Sequence, residues 1–138
     1  MLSSEARDAI VDVVYRYATG IDEKDWSLFR TCWTDAAATD YGDIGSWSTG
    51  DEITTFMEEV HAPCADSLHR VTNPVVWEDD GVLRSRSYVD AVLLFRRQAM
   101  HAMGRYEDEW EEVDGVWRIK ARRYLSTYQR FGLPDEVF

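Results

Sequence analysis

A phenol and a carboxylate close the apolar face of the first predicted helix, and their types and spacing could do chemistry. Apolar residues recur there with the 3.6-residue period of one helical face: Ile10, Val13, Val14, Tyr17, Ala18 and Ile21. Asp22 follows that face directly and lies five residues after Tyr17. A buried carboxylate needs a partner. Two interpretations stay open: either Asp22 leaves the helix into water, or Tyr17 and Asp22 point into a cavity that the helix covers.

The three histidines offer the other titratable groups near neutral pH. His69 lies on a predicted strand, where a single histidine is more often structural than functional. We expect His61, near the end of a predicted helix, to be exposed, and His101 to lie at the surface or at an interface. Asp40 could act as a base, but Asp40 and Tyr41 alternate along a strand, so at most one of them enters a pocket.

Length and charge limit the classes of function. The 138 residues suit one domain, residues 1–138, with a real hydrophobic core. The formal net charge of −11 argues against binding nucleic acid or an anionic membrane surface. No apolar run reaches the ~20 residues of a membrane span. A composition of 13% aromatic residues could wall a pocket for a flat small molecule or simply fill the core.

The N-terminal residues and the cysteines predict a cytoplasmic protein. Residues 1–12 lack the pattern of a signal peptide. Cys32 and Cys64 lack zinc-ligand spacing, so we expect free buried thiols, with a disulfide as the alternative.

Helix patterns come early in the chain and strand patterns come late. Asp25 can cap a short second helix, Ala36 to Tyr41 reads as a short strand, and Thr49 to Glu52 forms a capping box for a third helix. Four strands follow as consecutive hairpins: Leu68–Trp77, Val82–Phe95, Met100–Val113 and Val116–Tyr128. Pro74 places the first of them at an edge or on a bulge. We expect the tail from Phe131 to be irregular.

This order predicts an α+β fold with helices packed on one face of an antiparallel sheet. Apart from Asp90, residues 89–95 are apolar on both strand faces. The second face therefore favours contact with another subunit in a homodimer or homotrimer.

The last hairpin turns at Asp114-Gly115, a strong two-residue turn signal. A regular register then sets three opposite-charge pairs across the strands on a wet face: Glu111 with Arg118, Glu109 with Lys120, and Glu107 with Arg122. Asp108 and Arg123 fall on the apolar face, where they either pair with each other or border a pocket.

Four segments together resemble the SnoaL-like group of the nuclear-transport-factor-2-like superfamily. They are YRYATGIDEKDW, TDAAATDYG, LHRVTNPVV and GRYEDEWEEVDGVWRIKARR, and they cover most of the chain in the expected order. The superfamily includes dehydratases, a hexachlorocyclohexane dehydrochlorinase, polyketide cyclases and ketosteroid isomerase. The resemblance implies a curved sheet wrapped around N-terminal helices, a cone-shaped α+β barrel with a central pocket.

The resemblance also implies roles for individual residues. Asp22, in GID, and His69, in LHRVTN, match an acid and a histidine that pair in the dehydratases, where the histidine is the general base. Tyr17 has the spacing of a pocket tyrosine of the bile-acid dehydratase pattern. The W-x-I-x-x-R pattern implies Arg122, whereas strand alternation favours Arg123, and a bulge would reverse that choice. Further candidate pocket residues are Tyr41, Asn73, Tyr88, Asp90 and Tyr106; Tyr88 and Asp90 could equally pack in the core or against a subunit.

These groups suit removal of a proton beside a carbonyl or a leaving group. Histidine has a suitable pKa, a carboxylate fixes its tautomer, and a phenol can donate to a carbonyl oxygen or departing hydroxyl. We expect a cofactor-independent, metal-free lyase, a dehydratase acting on a hydrophobic cyclic small molecule such as a steroid or polyketide. The alternatives are an isomerase or polyketide-cyclase-type enzyme using the same pocket, or a non-catalytic small-molecule-binding protein.

Overall fold

The computed structural model describes residues 2–138. Four α-helices, one short 3-10 helix and six strands follow one another along these residues. In chain order they are α1 (Ser4–Asp22), α2 (Trp26–Arg30), β1 (Trp33–Asp40), the 3-10 helix (Gly42–Ile44), β2 (Ser46–Trp47), α3 (Gly50–His61), β3 (Asp66–Asp79), β4 (Val82–Leu94), β5 (Ala99–Val113), β6 (Val116–Gly132) and α4 (Pro134–Val137).

Polar side chains begin the first three helices. Ser3 accepts a hydrogen bond from the Ala6 amide at 3.0 Å, and Asp25 accepts one from Leu28 at 3.0 Å. Thr49 accepts from the Glu52 amide at 3.0 Å, as the capping box predicts. The Glu52 carboxylate reaches back one residue further than expected, to the Ser48 amide at 2.9 Å. Each side chain therefore satisfies a backbone N–H that would otherwise lack a partner.

The predicted apolar face of α1 is buried in full, which confirms that interpretation of the sequence. Gly20 is needed on this face for close packing with α2. A Cβ built at Gly20 would lie 3.0 Å from the backbone of Phe29. Burial of this face supplies the hydrophobic stabilisation that holds α1 in place, with its C-terminus beside β3.

The sheet is curled but not closed, and its strand order is β2-β1-β6-β5-β4-β3. The four long strands pair as consecutive antiparallel hairpins, as predicted. β1 lies parallel to β6, so the sheet is mixed rather than purely antiparallel. The N-terminal helices pack on one face of the sheet, which confirms the α+β class and the cone-shaped architecture.

Pro74 has both predicted consequences. β3 is an edge strand, and its register with β4 shifts between Thr72 and Val75. Asn73, inside that bulge, has a φ of +54°, a left-handed conformation that asparagine tolerates better than most residues.

A second bulge overturns the predicted register of the last hairpin. Glu111 lies opposite Arg118 as expected, but the register shifts between Glu109 and Trp110, which leaves one extra residue, Lys120, in β6. The pairs predicted for Glu109 with Lys120 and for Glu107 with Arg122 are therefore wrong. Glu109 instead bonds Arg84 at 2.6 Å.

The bulge decides which arginine faces the core. Asp108 now lies opposite Arg122, and both side chains are buried. Arg123 is exposed, so the prediction from strict alternation that it faces inward is wrong.

Three smaller expectations have clear outcomes. The tail is more ordered than expected, because β6 continues to Gly132 and α4 follows it. Cys32 and Cys64 are free and buried. Within residues 2–138, no helix has the length and apolar character required to cross a membrane.

Candidate active site

The end of α1 and the start of β3 bring Asp22 and His69 into contact. The Nδ1 atom of His69 lies 2.7 Å from Oδ1 of Asp22, and the His69 amide donates to Oδ2 at 2.8 Å. The Ser67 hydroxyl donates to Oδ1 at 2.9 Å. Ser67 and His69 are two residues apart on a strand, so their side chains point to the same face. The Asp22 carboxylate therefore accepts three hydrogen bonds from two residues that lie 45 and 47 positions later in the chain.

The hydrogen bonds keep Asp22 ionised. Burial by itself would raise the pKa of Asp22, but the bonds from His69 and Ser67 outweigh it, and the pKa lies below its ordinary value. An ionised carboxylate only accepts hydrogen bonds, so Nδ1 of His69 carries the proton. In the neutral imidazole this leaves Nε2 as an unprotonated lone pair.

His69 lines a partly open cavity in which that nitrogen has no protein partner. Its side chain is only 8% exposed, and Nε2 has no hydrogen-bond partner among residues 2–138. His69 lines a cavity of about 200 Å³ together with residues from α1, α3, β4, β5 and β6. The walls are mostly apolar, with Phe56, Met57, Val89 and Leu93 as examples.

Phenols supply four of the polar side chains of the cavity, beside His61, His69 and Gln129. Tyr17 and Tyr41 both line it, and their hydroxyl oxygens lie 3.0 Å apart. Burial raises the pKa of each phenol well above its ordinary value, so both stay protonated and can donate. Tyr106 also lines the cavity, with its ring centroid 5.4 Å from that of Tyr17. All three were among the predicted candidates.

A buried ion pair between Arg122 and Asp108 packs against the phenol rings of Tyr17 and Tyr106. Arg122 donates to Asp108 through two nitrogens, at 2.8 and 3.0 Å, and both side chains are fully buried. The guanidinium carbon lies 4.2 Å from the Tyr17 ring centroid and 3.8 Å from that of Tyr106, within range of cation–π attraction. Burial by itself would lower the pKa of Arg122, but Asp108 and the neighbouring phenols raise it well above its ordinary value.

The ion pair also sets the direction of a hydrogen-bond chain. Arg122 donates through Nη1 to the Tyr41 hydroxyl at 3.4 Å. When Tyr41 accepts from Arg122 it can donate to Tyr17, and the Tyr17 proton is then directed to Tyr106 or to a ligand. Arg122 thus lies behind the cavity wall rather than on it.

Four predicted pocket residues lie elsewhere. Asn73 is exposed on the β3 bulge, and Arg123 is exposed beyond the β6 bulge. On β4 the residues that line the cavity are Val89, Ala91 and Leu93, so Tyr88 and Asp90 point to the opposite face of the sheet. None of these four side chains lines this cavity.

His61, Tyr124 and Gln129 are polar cavity residues that the sequence interpretation missed, and His61 is the titratable one of the three near neutral pH. His61 is 3% exposed, which contradicts the expectation of an exposed helix end. Its ring centroid lies 5.7 Å from that of His69 and 5.9 Å from that of Trp26. The signal was present in the sequence, because His61 follows the buried Ile53 and Met57 at four-residue intervals on α3.

The described residues contain no group of three or more His, Cys, Asp or Glu side chains arranged to hold a metal ion. The acid–base groups of the cavity are therefore its two histidines, one carboxylate behind His69, and the phenols.

The sequence model of the SnoaL-like domain matches residues 3–123. The chain belongs to the SnoaL-like domain family. This family lies within the nuclear-transport-factor-2-like superfamily, as the sequence resemblance indicated. No curated protein matches the chain.

Solved structures share the SnoaL-like fold at low sequence identity. The hexachlorocyclohexane dehydrochlorinase LinA-type3 from Novosphingobium barchaimii LL02 is 21% identical, covers 97% of this chain and 94% of its own, and has a TM-score of 0.83. Two proteins from Novosphingobium aromaticivorans are also similar. One is assigned as a scytalone dehydratase; it is 19% identical, the match covers 89% of this chain and 85% of that one, and the TM-score is 0.81. The other is assigned as an aromatic ring hydroxylase; it is 23% identical, the match covers 99% of this chain and 98% of that one, and the TM-score is 0.85. These similarities establish the fold alone, because one fold hosts many reactions.

Proposed function

We propose that the protein is a cofactor-independent lyase that removes water from a hydrophobic cyclic small molecule, with His69 as the general base. The observation that carries this proposal is the free Nε2 of a carboxylate-oriented histidine inside an apolar cavity. A base with a pKa near the working pH transfers protons most efficiently, and histidine meets that condition.

The proposed reaction is a β-elimination. Nε2 of His69 takes a proton from the carbon between a carbonyl and a hydroxyl-bearing carbon. The electron pair of that C–H bond becomes the new C=C bond while the C–O bond to the hydroxyl breaks. The departing hydroxide takes the proton back from the imidazolium and leaves as water, so the base is regenerated.

Asp22 and Tyr17 support this step in different ways. Asp22 fixes the tautomer that leaves Nε2 unprotonated, and its charge stabilises the imidazolium as it forms. Tyr17 donates a hydrogen bond to the substrate carbonyl oxygen, where negative charge develops in the transition state, and keeps its proton. The Arg122–Tyr41 bond lets Tyr41 donate to Tyr17, so the Tyr17 proton is available to Tyr106 or to the substrate.

The cavity volume favours a smaller substrate than a steroid. Small-molecule sites commonly enclose about 300–1,000 Å³, whereas a cavity of about 150 Å³ is enough for benzene. The 200 Å³ available here suits one ring or two compact rings.

The test is a screen of cyclic β-hydroxy ketones for loss of water. 3-Hydroxycyclohexanone is a suitable first compound, because its product is a conjugated enone that absorbs ultraviolet light. A steroidal β-hydroxy ketone serves as the size control, and His69→Ala as the matched variant. We expect turnover of one-ring or two-ring compounds by the wild type only. Equal rates with His69→Ala, or no turnover of any compound, would contradict the lyase assignment.

The same base and phenol would also serve an isomerase, and this is the second candidate. In that case the proton returns to a different carbon and no C–O bond breaks. Exchange of substrate hydrogen for solvent deuterium without loss of water identifies it. Binding of these compounds with neither exchange nor elimination identifies a non-catalytic binding protein.

We also propose that copies of the chain assemble as a homodimer or homotrimer through the sheet face opposite to α1. Leu68 and Tyr88 alternate with the cavity-facing His69 and Val89 and are 48% and 44% exposed. Sedimentation equilibrium tests this assembly, and a monomer at micromolar concentration would contradict it.

A further inference from the structure

Ser67 carries a hydroxyl that shares one oxygen of Asp22 with His69. Oδ1 of Asp22 accepts the Ser67 hydroxyl at 2.9 Å and lies 2.7 Å from Nδ1 of His69. Oδ2 accepts the backbone amide of His69 at 2.8 Å. The Ser67 bond therefore falls on the same oxygen atom that holds the imidazole proton.

These three residues are connected differently from a hydrolase triad. In a hydrolase triad the serine donates its proton to the histidine and attacks the substrate as a nucleophile. Ser67 instead donates to the carboxylate, which contacts Nδ1 and not the free Nε2 of His69. Ser67 is also not among the residues that line the cavity of about 200 Å³. It can therefore influence a ligand only through Asp22 and His69.

The Ser67 bond changes the charge that Asp22 presents to the imidazole. Burial by itself would raise the pKa of Asp22, and the hydrogen bonds from His69 and Ser67 lower it. The partly positive hydroxyl hydrogen of Ser67 lies beside Oδ1, where it offsets part of the attraction between this oxygen and an imidazolium. Ser67 therefore leaves the tautomer of His69 in place while it weakens the stabilisation of the protonated ring.

That balance matters for a base that must also act as an acid. In the proposed elimination, His69 takes a proton from carbon and then returns it to the departing hydroxide. A carboxylate that stabilises the imidazolium too strongly slows the return, and one that stabilises it too weakly slows the removal. General acid–base catalysis is most efficient between these two limits.

We propose that Ser67 is a positioning residue: its hydroxyl fixes Oδ1 of Asp22 against Nδ1 of His69 and limits how strongly this carboxylate stabilises the imidazolium. The role in turnover rests on the proposed lyase function. The hydrogen-bond arrangement does not, because it can be measured in the protein without a substrate.

Other titratable groups surround the His69 ring and must stay constant in a test of Ser67. On α3, His61 has its ring centroid 5.7 Å from that of His69. In the turn after α1, Lys24 interacts electrostatically with His61 and bonds the Cys64 carbonyl at 2.7 Å. The phenols of the cavity wall are those of Tyr17, Tyr41, Tyr106 and Tyr124. The cavity residues of β4 are apolar: Val89, Ala91 and Leu93.

Threonine and valine at position 67 form a matched pair of variants. Ser67→Thr keeps the hydroxyl donor. Ser67→Val has the shape of threonine but carries a methyl group in place of the hydroxyl, and this methyl group also keeps water from replacing the donor. Both residue types suit a β-strand. Thermal unfolding of both variants establishes that they fold.

Spectra of the free protein test the hydrogen-bond arrangement. Carboxyl-¹³C aspartate and ¹⁵N-histidine labels report on the two partners, and the variants Asp22→Asn and His69→Ala assign their resonances. We expect a higher pKa of Asp22 in Ser67→Val than in the wild type, because one donor to the ionised carboxylate is lost. The Nδ1–H proton of His69 should move downfield, because its bond to the less neutralised oxygen becomes shorter. Ser67→Thr should match the wild type in both measurements.

The pH profile of turnover tests the role in the reaction. In Ser67→Val the imidazolium persists to higher pH, so the acid limb of kcat/KM should move up by about 0.5 pH units, a roughly threefold change in proton concentration. The value of kcat at the optimum should fall about threefold, because the proton returns more slowly to the departing hydroxide. Ser67→Thr should retain the wild-type profile.

Several results would overturn the inference. They are identical Asp22 and His69 resonances in Ser67→Val and Ser67→Thr, equal changes in both variants, or an unchanged pH profile in Ser67→Val despite the spectral shifts. Failure of the lyase proposal is distinguishable, because it appears as equal rates in the wild type and His69→Ala. The spectra of the free protein test the coupling of Ser67, Asp22 and His69 without turnover.

Discussion

Within residues 2–138, two histidine–carboxylate pairs lie on opposite faces of the same sheet. Inside, Asp22 holds His69 at 2.7 Å. Outside, Asp90 holds His101 at 2.8 Å. The two pairs use the same residue types at nearly the same separation, yet the surroundings give them different capacities.

The difference lies in the second ring nitrogen. His69 has only Nδ1 engaged, and its Nε2 faces an apolar cavity. His101 has both nitrogens engaged, because Nε2 meets Asp90 and Nδ1 meets the Val137 carbonyl at 3.1 Å. Protein acceptors therefore occupy both ring nitrogens of His101, and neither nitrogen is free to meet a ligand.

The carboxylates differ as well. Asp90 also bonds Arg70 at 2.9 Å and its side chain is 39% exposed, so water and salt screen its charge. The Asp22 side chain is only 18% exposed. The outer pair holds α4 against the sheet, whereas the inner pair leaves a nitrogen free for chemistry. A free nitrogen at an apolar cavity, rather than the pair itself, therefore marks the candidate site.

The largest expected effect comes from removing the inner imidazole. We expect His69→Ala to lower turnover about 10⁴-fold, the upper range for loss of a general base. His101→Ala is the matched control and should retain the wild-type rate. Steady-state kinetics on the best substrate of the screen measures both, and a similar loss in the two variants would refute the distinction between the pairs.

Asp22→Asn should lower turnover about 10³-fold, because it removes the charge that stabilises the imidazolium and releases the tautomer. The equivalent change outside, Asp90→Asn, should leave kcat/KM unchanged. The position of the His69 proton, read from its ¹⁵N resonances, should change in the first variant only. An active Asp22→Asn enzyme would remove the carboxylate from the mechanism.

Tyr17→Phe should lower turnover about 10²-fold, as expected for loss of one donor to a developing oxyanion. Since Tyr17 is proposed to act in the transition state, kcat should fall more than KM changes. Tyr88→Phe, on the outer face, provides the control. A loss confined to KM would mean that Tyr17 only binds the substrate.

The smallest expected effect is on stability in acid. The folded-state pKa values of Asp22 and Asp90 both lie below the ordinary value, despite the opposing effect of burial, because of hydrogen bonds to their histidines. Each therefore stabilises the fold above the unfolded pKa of about 4, and this contribution is lost as pH falls through the lower folded pKa. The measurement is the free energy of unfolding in urea between about pH 6 and pH 2. This free energy should depend less steeply on pH in Asp22→Asn than in Asp90→Asn, because the less exposed carboxylate contributes more. The reverse order would mean that exposure does not weaken the outer pair.

Much of the architecture could be predicted because its signals are local. The apolar period of α1, the caps at Asp25 and Thr49, and the turn at Asp114-Gly115 each depend on residues close together in the chain. Pro74 likewise predicted an edge and a bulge from one missing N–H.

The candidate site was predictable only in part. Asp22, His69 and Tyr17 were named from the family resemblance, and the structure brings them to one cavity edge, although their catalytic roles stay predictions. Arg122 was obscured by the bulge at Lys120, which local alternation does not reveal. His61 was missed because helix ends are usually exposed, and only the packing of α3 against α2 and β3 buries this one.

The sequence by itself determined which segments form helices and strands and which faces are apolar, since these depend on short-range periodicity and backbone sterics. Tertiary structure decided which arginine enters the core, which histidine keeps a free nitrogen, and how large the cavity is. Those properties depend on what packs opposite each side chain, and the partners lie tens of residues away. The hydrogen-bond partners and the burial of a side chain depend on its neighbours in the folded protein, so they cannot be predicted from the residue type alone.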